Sequence, residues 1–247
     1  GEVTVRPMAR SLAVSILISV LVATCTPLGR TPPTGPAASV AAPDLTWPQL
    51  PERARIRLVK VVARPEDLGT PPSLWRRIGR FIVGKGEEQF IRPTGVAVND
   101  SVTYVADPGA HALWILDARA GRSLTVHEAD GQRLVSPVAV AAGRNDRVYL
   151  ADSYVRKVFI FDRSGRSKGA ITSPDLRCPA GLAYDGERDR LYVVDSAEHA
   201  VWVFAGDGTP LGKIGRRGIG EGEFNFPSHL TVDPQGALYV TDALNFR

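Results

Sequence analysis

Four segments of this 247-residue chain read as copies of one another. They are PTGVAVNDSVTYVAD from Pro93, PVAVAAGRNDRVYLAD from Pro137, PAGLAYDGERDRLYVVD from Pro179 and PSHLTVDPQGALYVTD from Pro227. The prolines lie 44, 42 and 48 residues apart, and Asp107, Asp152, Asp195 and Asp242 follow them by 14, 15, 16 and 15. Short strands repeating at a period in the forties belong to units that each leave two apolar faces uncovered, so that burial requires stacking neighbours around an axis.

Inside a copy the pattern is a meander of four strands. In the second copy PVAVAA, RVYLAD and KVFIFD are three strands and SKGAIT is a weaker fourth. DRSG joins the last two, with Asp162 able to bond its own turn and Gly165 supplying a positive φ. Glycines recur at the same place in Gly121, Gly165 and Gly208. Strands rich in Val, Ile, Tyr and Phe suit sheets covered on both faces. The expected fold class is therefore all-β, a β-propeller of four-stranded blades. Third strands follow Asp107, Asp152 and Asp195 as ALWILD, KVFIFD and AVWVF, but none follows Asp242. Three full blades and half a blade are visible, and the chain reads as truncated at its C-terminal end.

The pattern Pro-x-Gly-Val/Leu-Ala, then Leu-Tyr-Val-x-Asp-Ser, then an apolar run ending Phe-Asp-x-x-Gly, resembles the NHL repeat. The linker GRRGIGEGEFNFP (215–227) fits the same resemblance, which covers 93–247. It implies a six-bladed ring, leaving roughly 100 residues of blades unseen at this period.

Before the repeats, Met8-Ala9-Arg10 and the uncharged run SLAVSILISVLVAT (11–24) have the charged start and short apolar core of a secretory signal. The run is short for a membrane span. Val22-Ala23-Thr24-Cys25 resembles the bacterial lipobox, with Thr24 a departure from it. The resemblance makes 1–25 a signal peptide with lipid attachment at Cys25, and Thr26 favours the outer membrane; a plain signal peptide cleaved nearby is the alternative. Cys178, the other cysteine, is expected as a small buried hydrophobe without a disulfide. Prolines at 27, 32, 33, 36, 43, 48 and 51 make 26–51 an extended tether. Residues 52–92 then hold a closing strand at ARIRLVKVVA (54–63) and a short amphipathic helix at SLWRRIGRFIVG (73–84), either a connector packed on the propeller or a membrane-surface helix.

Candidate chemistry is sparse. The four aspartates recur in every copy, as a catalytic carboxylate would not need to, and are expected to end strands and accept backbone N–H groups from the following turn. Tyr104, Tyr149, Tyr192 and Tyr239, three residues before each aspartate, are expected to pack between blades. In propellers the start of each innermost strand lines the channel mouth, which makes Thr94, Ser228 and His229, with neighbouring Asn225, the candidate ligand face. His111 and His199 both precede a third strand, a position in the repeat and not a shared site. A metal-dependent propeller enzyme needs converging His or carboxylate ligands, and one histidine at these positions does not supply them. No phosphate loop or nucleophile elbow occurs, and no catalytic residue, metal or cofactor is expected.

The net charge of +4 comes with dispersed lysines and arginines, the pattern of a solvated surface, and export argues against a nucleic-acid partner. The expectation is a non-catalytic propeller module at the bacterial envelope, periplasm-facing and lipid-anchored, recognising a protein, peptide or glycan through its loop face. Secreted or periplasmic residence is the alternative location. The alternative function is a propeller hydrolase or lyase whose metal site lies partly in blades outside this sequence.

Overall fold

The computed structural model describes residues 45–48, 53, 55–70 and 89–247, in two units, Gly1–Leu58 and Val59–Arg247. The signal segment, Cys25, most of the 26–51 tether and the 73–84 helix lie outside the described residues. Among the described residues no helix is long and apolar enough to cross a membrane.

In the first unit, β1 (Thr46–Trp47) pairs antiparallel with β2 (Ile56–Arg57). Of the closing strand expected over 54–63, the described residues show Ile56–Arg57 extended and paired with β1, and residues 58–63 without a strand. Local chemistry diverts the chain. The N–H groups of Ala63 and Arg64 donate to the Asp67 carboxylate at 2.9 and 3.0 Å, which closes a 3-10 turn at Pro65–Leu68 in place of a ladder.

The second unit is a stack of antiparallel meanders. The first blade is β3 (Gly95–Asn99), β4 (Val102–Asp107), β5 (Ala112–Asp117) and β6 (Arg122–Val126). A small hairpin, β7 (Glu128–Ala129) and β8 (Gln132–Arg133), turns on Asp130-Gly131. The second blade is β9 (Pro137–Ala142), β10 (Val148–Asp152), β11 (Lys157–Phe161) and β12 (Ser167–Ile171). The third is β13 (Pro179–Asp185), β14 (Arg190–Asp195), β15 (Ala200–Ala205) and β16 (Pro210–Ile214). Then β17 (Pro227–Val232) and β18 (Leu238–Asp242) form half a blade. The fold is a partial β-propeller.

Strands β3, β9, β13 and β17 run side by side along the inner edge. Their approach is close: a β-carbon on Gly95 would lie 2.9 Å from Ala139 Cα, and one on Gly181 2.9 Å from the Ser228 carbonyl oxygen. Between the first two blades, Tyr104, Leu113 and Ile115 pack with Val148, Leu150 and Phe159. Tyr149 and Val158 meet Leu191 and Val193 of the third blade, and Tyr192 and Val201 meet Leu230, Leu238 and Val240 of the half blade. Burying these side chains contributes on the order of 2 kcal/mol each. The outer face of the first blade is covered at Trp114 by Leu68 and Phe90, the two rings meeting edge to face at 5.3 Å. Its inner strand is not covered there: Val96 and Val98 are 67% and 64% exposed. At the far end of the stack Tyr239 is exposed, unlike the other three tyrosines of its repeat position, because no sheet lies against it among the described residues.

Candidate functional site

Each blade has its innermost strand start, its second-to-third strand turn and its connection to the next blade at one common end. The blade aspartates sit there, all buried. Asp152 ends β10 and accepts hydrogen bonds from Tyr154 and Val155 in the following turn, at 3.1 and 3.2 Å. It also accepts from Val135 and Ser136, which lie just before Pro137, at 2.7 and 3.0 Å. Asp195 does the same with Ala197 and Glu198 on one side and Arg177 and Cys178 on the other. Asp107 accepts from Ala110 and from Ile91 and Arg92. One carboxylate thereby ties the segment entering a blade to a turn inside it, and satisfies backbone donors that a buried loop would otherwise leave unpaired. The fixed proline-to-aspartate spacing is the trace of this clasp in the sequence.

The fourth copy varies it. Asp242 accepts from Asn225 N–H at 2.6 Å, and then from the side chains of Asn245 and Arg247 at 2.7 and 3.2 Å. Burial acts to raise this carboxyl, but those donors outweigh it and hold it below its ordinary value. Phe226, before Pro227, sends its N–H instead to His199 Nδ1 at 3.1 Å, and the two rings meet edge to face at 4.5 Å. Nδ1 of buried His199 is therefore an acceptor and carries no proton.

The residue four places past each aspartate, His111, Arg156, His199 or Phe246, has a positive φ of 51–59°. A non-glycine side chain in that region is uncommon. In the first three copies the turn into the third strand takes this conformation, and in the fourth Phe246 takes it as the C-cap of a 3-10 turn at Ala243–Asn245.

The residue after each later proline is a bulge. Pro137 pairs with Asp152 and Ala139 with Ala151, which skips Val138; Ala180 and Ser228 are skipped in the same way. Thr94, at the same position of the first copy, donates its hydroxyl hydrogen to the Val138 carbonyl at 2.8 Å, fastening one inner strand to the next. Ser228 and His229 are adjacent and their Oγ and Nδ1 lie 3.1 Å apart, but among the described residues no third group orients the exposed imidazole. Asn225 contributes its backbone to Asp242. The structure therefore gathers Asn225, Ser228 and His229 at the head of β17 and sets Thr94 three blades away, at the head of β3. Among the described residues no three His, Cys, Asp or Glu side chains group around a common point. Cys178 is half-buried, not fully buried as expected, because its amide is drawn to Asp195 at the blade junction. Burial, followed by the Asp195 charge, raises its thiol.

Sequence reasoning missed the β7–β8 hairpin, although its Asp-Gly pair is a two-residue turn signal. With the neighbouring turn, that hairpin encloses a groove of about 380 Å³ lined by Ala110, His111, His127, Arg133, Leu134 and Val135. The opposite end differs in character. There Asp117 pairs with Arg163 and Asp185 with Arg188, and among the described residues none of the exposed large hydrophobic residues falls in the turns that connect its strands. At the clasp end Ile91, Tyr154, Ile219 and Phe226 are all exposed.

Residues 185–245 match a family model, DUF5128, described as a 6-bladed β-propeller. No curated protein sequence matches the chain. Among solved structures, the chain is similar to one in a nidogen/laminin complex, with 21% identity over 63% of this chain and 60% of that one, and a TM-score of 0.50. It is also similar to a streptogramin B lyase, with 15% identity over 62% and 49% and a TM-score of 0.51. The virginiamycin B lyase from Staphylococcus aureus gives 15% identity over 63% and 50% and a TM-score of 0.50. The chain thus spans about half to three-fifths of the solved chains it resembles. Fold is what these likenesses share with the strand register above: the chain is built as part of a β-propeller.

Proposed function

We propose that this chain is a non-catalytic propeller module that recognises a protein, peptide or glycan through its clasp end, held at the bacterial envelope by a lipid on Cys25. One observation carries the reading of the site. The repeated carboxylates, the residues best placed for acid–base or metal chemistry, are committed to backbone N–H groups, and they rigidify the loops that surround them. A rigid loop face with exposed apolar side chains is what recognition needs. The fold is shared by a protein solved with laminin and by lyases, so the choice rests on the residues of this chain. The uncovered faces at Val96 and Tyr239 are those on which further blades of a six-bladed ring would stack.

The test places a photo-crosslinking amino acid at Tyr154 on the clasp end, or at Asn145 on the other, in the full chain exposed to envelope extract. Discrete adducts at Tyr154 alone are expected. Adducts at Asn145 alone, or stoichiometric zinc or calcium retained through purification with turnover of a substrate, would contradict the proposal. For the anchor, radiolabelled palmitate is expected in the wild-type chain and absent from Cys25→Ser; equal labelling of both would contradict it.

A further inference from the structure

From the geometry of the clasp end we infer that the groove between the first two blades docks an acidic, extended peptide segment carrying a large apolar side chain; this rests on the recognition reading above. The groove belongs to a continuous strip of surface. Gly109 lies so near the residues before Pro93 that a β-carbon there would be 2.8 Å from Ile91 Cγ2 and 2.9 Å from Arg92 Cβ. Next along the chain, His111 Nδ1 meets the Val135 carbonyl oxygen at 2.5 Å. Val135 N–H is held by Asp152, which also holds Tyr154, and Arg156 N–H donates to the Asp152 carbonyl. Ile91, Arg92, His111, Val135, Tyr154 and Arg156 thus follow one another across two blades.

Three features of the strip select the partner. Its recess is mostly apolar, with Ala110, Leu134 and Val135 in its lining, and flanking it Ile91 and Tyr154 are 65% and 72% exposed. Its exposed cations are Arg92, Arg133 and Arg156, none with an acidic partner within 4 Å among the described residues. Glu128 and Asp130 share the β7–β8 hairpin with Arg133, but neither lines the groove. Unpaired guanidinium groups bind carboxylates with two parallel hydrogen bonds. The third feature is the histidine pair. His111 and His127 each turn Nδ1 to a backbone carbonyl, an acceptor, so Nδ1 carries the proton and donates. In the neutral form, each ring with its proton on Nδ1 has a lone pair on Nε2, able to accept a peptide N–H. A bilayer surface offers carboxylates or phosphates but no side chain to fill a recess and no row of amide donors, so a peptide segment fits better than a lipid face.

The probe is a random 15-residue peptide display library selected against the full chain, followed by synthetic fluorescein-labelled copies of the enriched peptides. Vesicles of phosphatidylcholine with phosphatidylglycerol form a second arm. Enriched peptides are expected to be net acidic with at least one large apolar residue. Their affinity should fall by about tenfold or more in the Arg133→Glu/Arg156→Glu chain, and stay within about twofold in Arg144→Glu at the opposite end. Circular dichroism melts superimposable on wild type would show that the charge reversals leave the fold intact. Neutral or basic enriched peptides, or acidic ones indifferent to Arg133→Glu/Arg156→Glu, would overturn the inference while leaving peptide recognition standing. Co-sedimentation with the anionic vesicles and no enriched peptide would overturn the inference in favour of a membrane face. Binding in neither arm would overturn both the inference and the peptide reading beneath it.

Discussion

Tyr104 and Tyr239 hold the same place in their repeat, three residues before the blade aspartate, yet Tyr104 is 1% exposed and Tyr239 59%. The difference is the neighbouring sheet. Tyr104 lies under Val148 and Leu150 of the second blade, and burial pushes its hydroxyl up to about 12. Replacing a buried aromatic residue with alanine costs about 3–5 kcal/mol, whereas an exposed one changes stability by about 0.5 kcal/mol or less. Tyr104→Ala is therefore expected to lower the urea midpoint sharply and Tyr239→Ala to leave it in place. Equal effects would mean that the two faces are not distinguished by blade stacking.

The aspartate clasp predicts an outsized cost for a small change. Asp195→Ala strips the acceptor from Arg177, Cys178, Ala197 and Glu198 N–H groups at a buried site. A loss of about 3 kcal/mol follows if only part of those donors finds water. Asp207→Ala, on an exposed hairpin, should cost far less. Chemical denaturation of both variants checks the ranking.

Two glycines of the third blade separate crowding from flexibility. A β-carbon on Gly181 would strike the Ser228 carbonyl oxygen and lie 3.2 Å from His229 Cα, while one on Gly212 meets nothing within 4 Å. Gly181→Ala should cost about 1–3 kcal/mol by forcing β13 and β17 apart. Gly212→Ala, in the outer strand β16, should be neutral or slightly stabilising.

Acid should act through Asp162. Burial works to raise its carboxyl, but hydrogen bonds from Ser164, Arg166 and Lys168 win and bring it to about 2. A carboxyl lowered in the folded chain adds stability that is complete above its unfolded value, 3.8, and disappears as pH falls through about 2. With its partner Lys168 well exposed, screening reduces the contribution to about 1 kcal/mol. The stability gap between wild type and Asp162→Asn should hold from pH 7 to about 4 and shrink below that. A gap constant down to pH 2 would contradict this.

Much of the architecture was legible because its chemistry is local. Proline at each strand start, Tyr and Val in the second strand, and glycine in the last hairpin each report a backbone requirement within a few residues. Gly121, Gly165 and Gly208 do sit at positive φ, and the weak SKGAIT run is a strand at Ser167–Ile171. What sequence could not display is the partner each residue meets across the stack. Local sequence points each aspartate only to the following turn, because the pre-proline amides lie 15–18 residues upstream. Thr94 stands at a strand start, a position that suggests a ligand face, and its hydroxyl donates to the Val138 carbonyl of the next inner strand. His111 and His199 share a position and a positive φ, yet one donates to a carbonyl and the other accepts from Phe226. Only assembled neighbours decide such roles.

The central claim is that buried aspartates hold the loops of the clasp end as firmly as strands. Residue-resolved amide hydrogen exchange tests it directly. Val135 and Arg177 N–H, both outside strands and both donating to a blade aspartate, should exchange within about tenfold of Leu150 in the middle of β10, and Asp152→Ala should release Val135 alone of the two. Exchange of Val135 and Arg177 at the rate of unstructured loops, unaltered by that substitution, would contradict the claim.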